Sequence, residues 1–266
     1  MKIATYNLRS GGKAGNRIHW QKLLEAVKPD IFLVQETLHP SEYLATDFYQ
    51  RHAQQMHWQV VSSHQKWGSA VFVRQGQVRP LEPLAEEFAG WVAGVEVTNT
   101  DWPLLAGRSL YVFSLHAPSG SSSYVKQVNA ILDCLQAQVP GDADVIIGGD
   151  FNLTVGFRHP AEQLQQNQPK LMARFQRELG LMNCWQMANP NQDLPQTLRW
   201  SNKPALPFHC DGIFAPAHWY PWLESAAVLS GEEWDRLSDH NPVVATLMRP
   251  TQTPTAPFET CLATHS

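Results

Sequence analysis

The feature that most constrains this chain is a series of short apolar runs, each of which stops abruptly at a polar or charged residue. Lys2-Ile3-Ala4-Thr5-Tyr6 reads as a strand, and Ile31-Phe32-Leu33-Val34 as a strand buried on both faces. Between them, residues 19–28 place Trp20, Leu23, Leu24 and Val27 on one face of a helix that Pro29-Asp30 closes. Strand, helix, strand in that order crosses over right-handedly, so the two strands are expected to be parallel neighbours. Further strands are expected at residues 69–73, 94–97, 110–115, 145–147, 212–214 and 242–247, and helices at residues 124–138 and 171–179. The mixture predicts an α/β or α+β layered domain. Residues 118–123 and 156–170 read as polar loops, neither of them an interdomain linker, and the proline-rich end from Pro250 onward as a frayed tail.

The places where the runs stop carry the chemistry. Asn7 follows the first strand and Glu36 the second, so a parallel pair brings both to one sheet edge, where open α/β sheets bind ligands. His116 ends the run 110–115, and Asp150 and Asn152 follow Val145-Ile146-Ile147-Gly148-Gly149. Asp211 precedes one strand, and Asp239 and His240 another; strands antiparallel to the first group return these residues to the same edge. Singly, each has an ordinary reading: Asn7 as a turn former, Glu36 as a cap, Asp150-Phe151-Asn152 as an Asx turn, His116 as a hydrogen-bonded structural imidazole. As a set they offer carboxylates, amides and imidazoles with few thiols, a donor chemistry that suits Mg²⁺ or Mn²⁺ and not zinc. Such a cation coordinates phosphate oxygens, and imidazoles accept protons or hold a phosphoryl oxygen, so the set points to phosphoester hydrolysis.

Composition sets the limits. The 266 residues carry a net charge of -4, which excludes a polybasic binder and requires a phosphate partner to be held by a local cluster or through a cation. The length allows one domain or two. Cys134, Cys184, Cys210 and Cys261 are widely spaced, with no C-x-x-C pair, and read as reduced thiols. No stretch approaches the roughly 18 apolar residues of a membrane span, and Met1 leads directly into a strand instead of a signal-peptide core. A cytoplasmic protein is therefore the expectation.

YNLRSGG at 6–12, VQET at 34–37, SLHAPSG at 114–120, GGDFN at 148–152, CDGIF at 210–214 and SDHNPV at 238–243 resemble, in order, the motifs of the endonuclease/exonuclease/phosphatase family. That family includes DNase I, exonuclease III-type abasic-site endonucleases, sphingomyelinases and inositol polyphosphate 5-phosphatases. The resemblance implies a four-layer α/β sandwich, two mixed sheets packed face to face with helices outside, over residues 1–249, with residues 250–266 a flexible tail. It implies a Mg²⁺- or Mn²⁺-dependent phosphodiesterase with Glu36 as principal metal ligand and Asn7 and Asp239 beside it. By the same resemblance Asp150 and Asn152 activate the nucleophile and contact the scissile phosphate, and Asp211 orients the catalytic His240. His116 and the Asn7-Leu8-Arg9 triplet resemble the DNase I-like branch, with Arg9 a phosphate contact.

Two positions depart from the pattern. Trp67 stands near where that branch carries a glutamate paired to the histidine, so His116 either finds another partner or acts with a less basic imidazole. His209-Cys210 precedes Asp211 where many members have arginine and an aliphatic residue. Arg9, Lys13 and Arg17 form a candidate anion-contacting loop, and Trp67, Trp200 and Trp234 are candidate base-stacking residues set against ordinary packing. The resulting expectation is a monomeric DNase I-like endonuclease acting on DNA. The alternatives are a phosphatase or phosphodiesterase for a small-molecule or lipid phosphoester using the same site, or a catalytically silent binding module.

Overall fold

The computed structural model describes residues 1–12, 17–62, 64–120, 122–157, 168–201 and 206–248. Lys13, most of the 156–170 loop, Cys261 and the tail 250–266 lie outside the described residues. The strands are β1 Lys2–Asn7, β2 Ile31–Thr37, β3 Met56–Val60, β4 Gly68–Val73, β5 Gln77–Pro80, β6 Val92–Thr98, β7 Leu110–His116, β8 Asp144–Asp150, β9 Leu181–Asn183, β10 Asp211–Pro216, β11 Leu223–Val228 and β12 Val243–Leu247. The helices are α1 His19–Ala26, α2 Thr46–His52, α3 Tyr124–Gln138, α4 Gln168–Arg177, α5 Cys184–Ala188 and α6 Glu232–Asp235.

The described strands form two six-stranded sheets, ordered β11-β12-β1-β2-β4-β3 and β5-β6-β7-β8-β10-β9. In each, one central pair is parallel, β1 with β2 and β7 with β8, and the remaining pairs are antiparallel. The parallel β1–α1–β2 unit is the one read from the sequence. Ile3, Ile31, Leu33, Val112, Ile146, Ile213 and Ala245 fill the space between the sheets. Trp20, Leu23 and Leu24 of α1 cover the outer face of the first sheet through Tyr6, Phe32 and Phe72, and α3 and α4 cover Phe113, Ile147 and Phe214 of the second. Helix, sheet, sheet, helix is the four-layer sandwich expected.

Side chains two apart on a strand share a face, so the inter-sheet core can be followed layer by layer. Ile3, Leu33, Val112 and Ile146 are apolar. One step on, Thr5, Gln35 and Ser114 are fully buried and polar. Gln35 Nε2 donates to Ser114 Oγ at 2.9 Å and to Thr5 Oγ1 at 3.1 Å, tying the sheets together. A further step brings Asn7, His116, Asp150 and Asp211, all buried. The site is therefore the layer at which a packed core turns polar at one rim. Gly149 permits this packing: its φ is +156°, and a Cβ there would lie 1.7 Å from the Leu115 carbonyl oxygen.

Candidate active site

Three groups stand in one row across the second sheet. His116 on β7 is in register with Asp150 on β8, and Asp150 with Asp211 on β10. Asp150 Oδ1 accepts the Asn152 backbone N–H at 2.8 Å, the Asx turn also read from the sequence, so the carboxylate is held by its own chain. Its Oδ2 accepts from Asn7 Nδ2 at 3.0 Å and lies 3.8 Å from His116 Nε2 and 3.7 Å from His240 Nε2. Asn152, at φ +53°, donates one amide hydrogen to the Ala117 carbonyl at 3.0 Å and has a second to give.

The first sheet supplies Glu36, which lies inside β2 at a bulge between Val34 and Thr37, with φ +49°. A left-handed glutamate in a strand costs about 1–3 kcal/mol and persists only where its surroundings fix it. Here Arg9, Ser10, Gly11 and Gly12 all have positive φ, and this curl directs Ser10 N–H to Glu36 Oε2 at 2.6 Å and Gly11 N–H to the Glu36 carbonyl at 2.6 Å. A Cβ on Gly12 would lie 2.3 Å from His19, so the motif's second glycine keeps the curl closed. Glu36 Oε1 accepts from Asn7 Nδ2 at 3.2 Å, and the same nitrogen reaches Asp150. Asn7 thus clamps a carboxylate from each sheet; its oxygen is engaged by Arg9 N–H at 2.9 Å.

His240 enters from the loop before β12. Its Nδ1 donates to Asp211 Oδ2 at 2.9 Å, with Oδ1 at 3.1 Å. Burial alone would strip this ring of its charge, but the carboxylates of Asp211 and Asp150 outweigh it and raise the imidazole to about 10. A segment not singled out in the sequence holds the pair. Thr197 Oγ1 accepts both Cys210 N–H at 3.0 Å and Asp211 N–H at 3.1 Å, and the Thr197 carbonyl accepts Asn241 N–H at 2.8 Å. Arg199 donates to the Ser238 carbonyl at 2.6 Å and to Asn241 Oδ1, and pairs with Asp235 at 3.0 Å. Thr197→Val is expected to lower unfolding free energy by about 1–3 kcal/mol, because it leaves two buried N–H groups unmatched. Urea unfolding checks this; a change below about 0.5 kcal/mol would place the burden elsewhere.

His116 finds its partners among aromatic rings. Trp91 lies 5.1 Å and Trp67 5.9 Å from it between ring centroids, and the backbone N–H of His116 donates to the Trp91 carbonyl at 2.8 Å. Its Nε2 is 3.7 Å from Glu36 Oε1, and Nδ1 is buried without a hydrogen-bond partner among the described residues. Trp91 carries no signal in the sequence that would have named it. Trp234 is buried edge-on to Tyr6 with Lys22 over its face, so it packs the core and does not stack on bases. Trp200 is 41% exposed and meets Phe208 edge to face. His209 packs on Trp185 with Nδ1 bonded to the Pro195 carbonyl, a structural imidazole. Arg17 pairs with Glu42, whereas Arg9, with its side chain 58% exposed, pairs with Asp239 at 3.2 Å at the mouth of the site.

The donor set can be tested against a hard cation. Glu36, Asp150, Asp211 and Asp239 bring four carboxylates to this rim, against Arg9 and the imidazolium of His240. Asp239 Oδ1 is buried with no donor among the described residues, and an unmatched carboxylate oxygen suits a cation. Glu36 and Asp239, with the Asn7 amide between β1 and the carboxylates, are all oxygen-bearing groups and fit Mg²⁺ or Mn²⁺.

The family model for the endonuclease/exonuclease/phosphatase family matches residues 4–240. The chain belongs to this family of phosphoester hydrolases. Its fold is shared with an AP endonuclease from Archaeoglobus fulgidus, at 19% identity and a TM-score of 0.69, over 93% of this chain and 99% of that one. It is shared also with the 3′ phosphatase NExo from Neisseria bound to a product DNA hairpin, at 19% identity and a TM-score of 0.66 over 93% and 99%. A third is the endonuclease domain of TRAS1, a telomere-specific non-LTR retrotransposon, at 16% identity and a TM-score of 0.63 over 93% and 98%. No curated protein matches the sequence. Among the described residues, no helix is long and apolar enough to cross a membrane.

Proposed function

We propose that residues 1–249 form one catalytic domain, a Mg²⁺- or Mn²⁺-dependent phosphodiesterase that acts as a DNase I-like endonuclease on DNA. The observation that carries this reading is the Asn7 clamp, which joins Glu36 on one sheet to Asp150 on the other while the Asp211–His240 pair faces the same carboxylate. Glu36 is the principal residue that would hold the cation, with Asp239 and Asn7 beside it. A bound cation supplies Lewis-acid stabilisation of the phosphoryl oxygens.

The chain's own groups do the rest. Asp150 accepts the proton of the attacking water, and His240, kept charged by Asp211, donates a hydrogen bond to the phosphoryl oxygen. Asn152 gives its free amide hydrogen to the same phosphate, His116 borders the site between Glu36 and Asp150, and Arg9 contacts a phosphate from the rim. The DNA in the product complex of NExo supports nucleic acid as the substrate class.

In a plasmid-nicking assay, Mg²⁺ or Mn²⁺ is expected to support cleavage that a chelator abolishes and that metal restores. Turnover of soluble phosphoesters with no nicking of duplex DNA would move the assignment to a small-molecule phosphatase.

A further inference from the structure

Cys210 introduces a donor that the proposed reaction does not use. Its Sγ lies 3.6 Å from Asp211 Oδ2, and the ligand atoms of Cys210, Asp150, Asp211 and His240 all lie within 4.8 Å of one another. The four residues are buried. A tetrahedral zinc ion with bonds of about 2.0–2.3 Å separates its ligand atoms by about 3.3–3.8 Å, so small side-chain rotations suffice to close this set on an ion. Sulfur with imidazole and two carboxylates is a soft, mixed set, chemically distinct from the oxygen donors around Glu36. Its supports are in place: Thr197 Oγ1 fixes the backbone of Cys210 and Asp211, and Asn152 N–H fixes Asp150 Oδ1. Cys210 borders a cavity of about 410 Å³ that Tyr124, Asn152, Trp200 and Phe208 also line.

We infer that Cys210, Asp150, Asp211 and His240 form an inhibitory site for a thiophilic divalent cation, Zn²⁺ being the natural candidate. As the metal bonds form, the Cys210 thiol proton and the proton on the ligating nitrogen of the His240 imidazolium both leave to solvent, so the ring binds as neutral imidazole and gives up its hydrogen bond to Asp211. The binding stands on its own; the inhibition rests on the function proposed above, because the ion engages Asp150 and His240.

Two readouts test this on the full chain. Titration with Co²⁺ is expected to produce a sulfur-to-cobalt charge-transfer absorption that Zn²⁺ bleaches and that Cys210→Ala and Cys210→Ser both lack. In saturating Mg²⁺, the Zn²⁺ concentration that halves cleavage is expected to rise about tenfold or more in these variants. No absorption in the unsubstituted chain, or equal absorption after either substitution, overturns the site. Equal Zn²⁺ sensitivity in all three proteins overturns the inhibition. Failure of the function reading looks different: the charge-transfer absorption persists, and no Mg²⁺-dependent cleavage is found.

Discussion

Glu36→Gln is expected to reduce Mg²⁺-dependent cleavage of plasmid DNA by about 10²–10⁴-fold while the far-UV spectrum is retained. The amide keeps the shape of the carboxylate, so Ser10 N–H retains an acceptor and the curl at residues 9–12 survives. What it removes is the negative charge at the point where the two sheets meet. Without that charge a cation loses its principal oxygen donor, and with the Gln oxygen toward Ser10 the amide nitrogen faces Asn7 Nδ2, so the clamp is released on this side. Glu36→Ala is expected to be as inactive and less stable, because the Ser10 N–H and the Asn7 amide lose a partner. Raising the Mg²⁺ concentration should recover part of the Gln variant's activity, since the defect lies in holding the ion. Plasmid nicking across a metal titration measures this, and a loss below tenfold would remove Glu36 from its proposed role.

How much of this was legible in the sequence follows from where each residue sits. Residues 124–138 form α3 with the boundaries expected, because helical spacing of Val128, Ile131, Leu132 and Leu135 coincides with a Ser123 cap that accepts Lys126 N–H. His116 and Asp150 were legible because each ends a largely apolar strand, and Asp211 because it begins one. The strands missed were β3, β5, β9 and β11. The first three of these four are Met56–Val60, half-buried throughout, Gln77–Pro80, largely exposed, and the three-residue Leu181–Asn183. Each of the four lies at a sheet edge, where only part of one face needs apolar residues. Strand β2 runs on through Glu36 because a bulge absorbs a left-handed glutamate, and no residue type announces that. Thr197 and Arg199 act through hydrogen bonds to segments distant in the chain, and these leave no periodic trace.

Asp211→Asn is expected to lower kcat by about 10²–10⁴-fold with little change in KM. The carboxylate accepts the Nδ1–H of His240 through both oxygens and is the main reason the buried ring keeps its proton against the penalty of burial. An asparagine presents a neutral oxygen or an N–H₂ group at the same place. With the oxygen toward Nδ1, the hydrogen bond survives but the charge that favours imidazolium is gone. With the nitrogen toward it, the ring is held as the neutral Nε2–H tautomer, which still offers a proton to a phosphoryl oxygen but carries no positive charge. In either case the proposed stabilisation by His240 of charge that develops in the transition state is lost, while the proposed phosphate contact at Arg9 and cation site at Glu36 are untouched. The separation of kcat from KM distinguishes this from loss of fold, which would lower the concentration of active enzyme and shift the urea midpoint. A tenfold rise in KM at unchanged kcat would assign Asp211 to substrate binding and overturn the proposed pairing role.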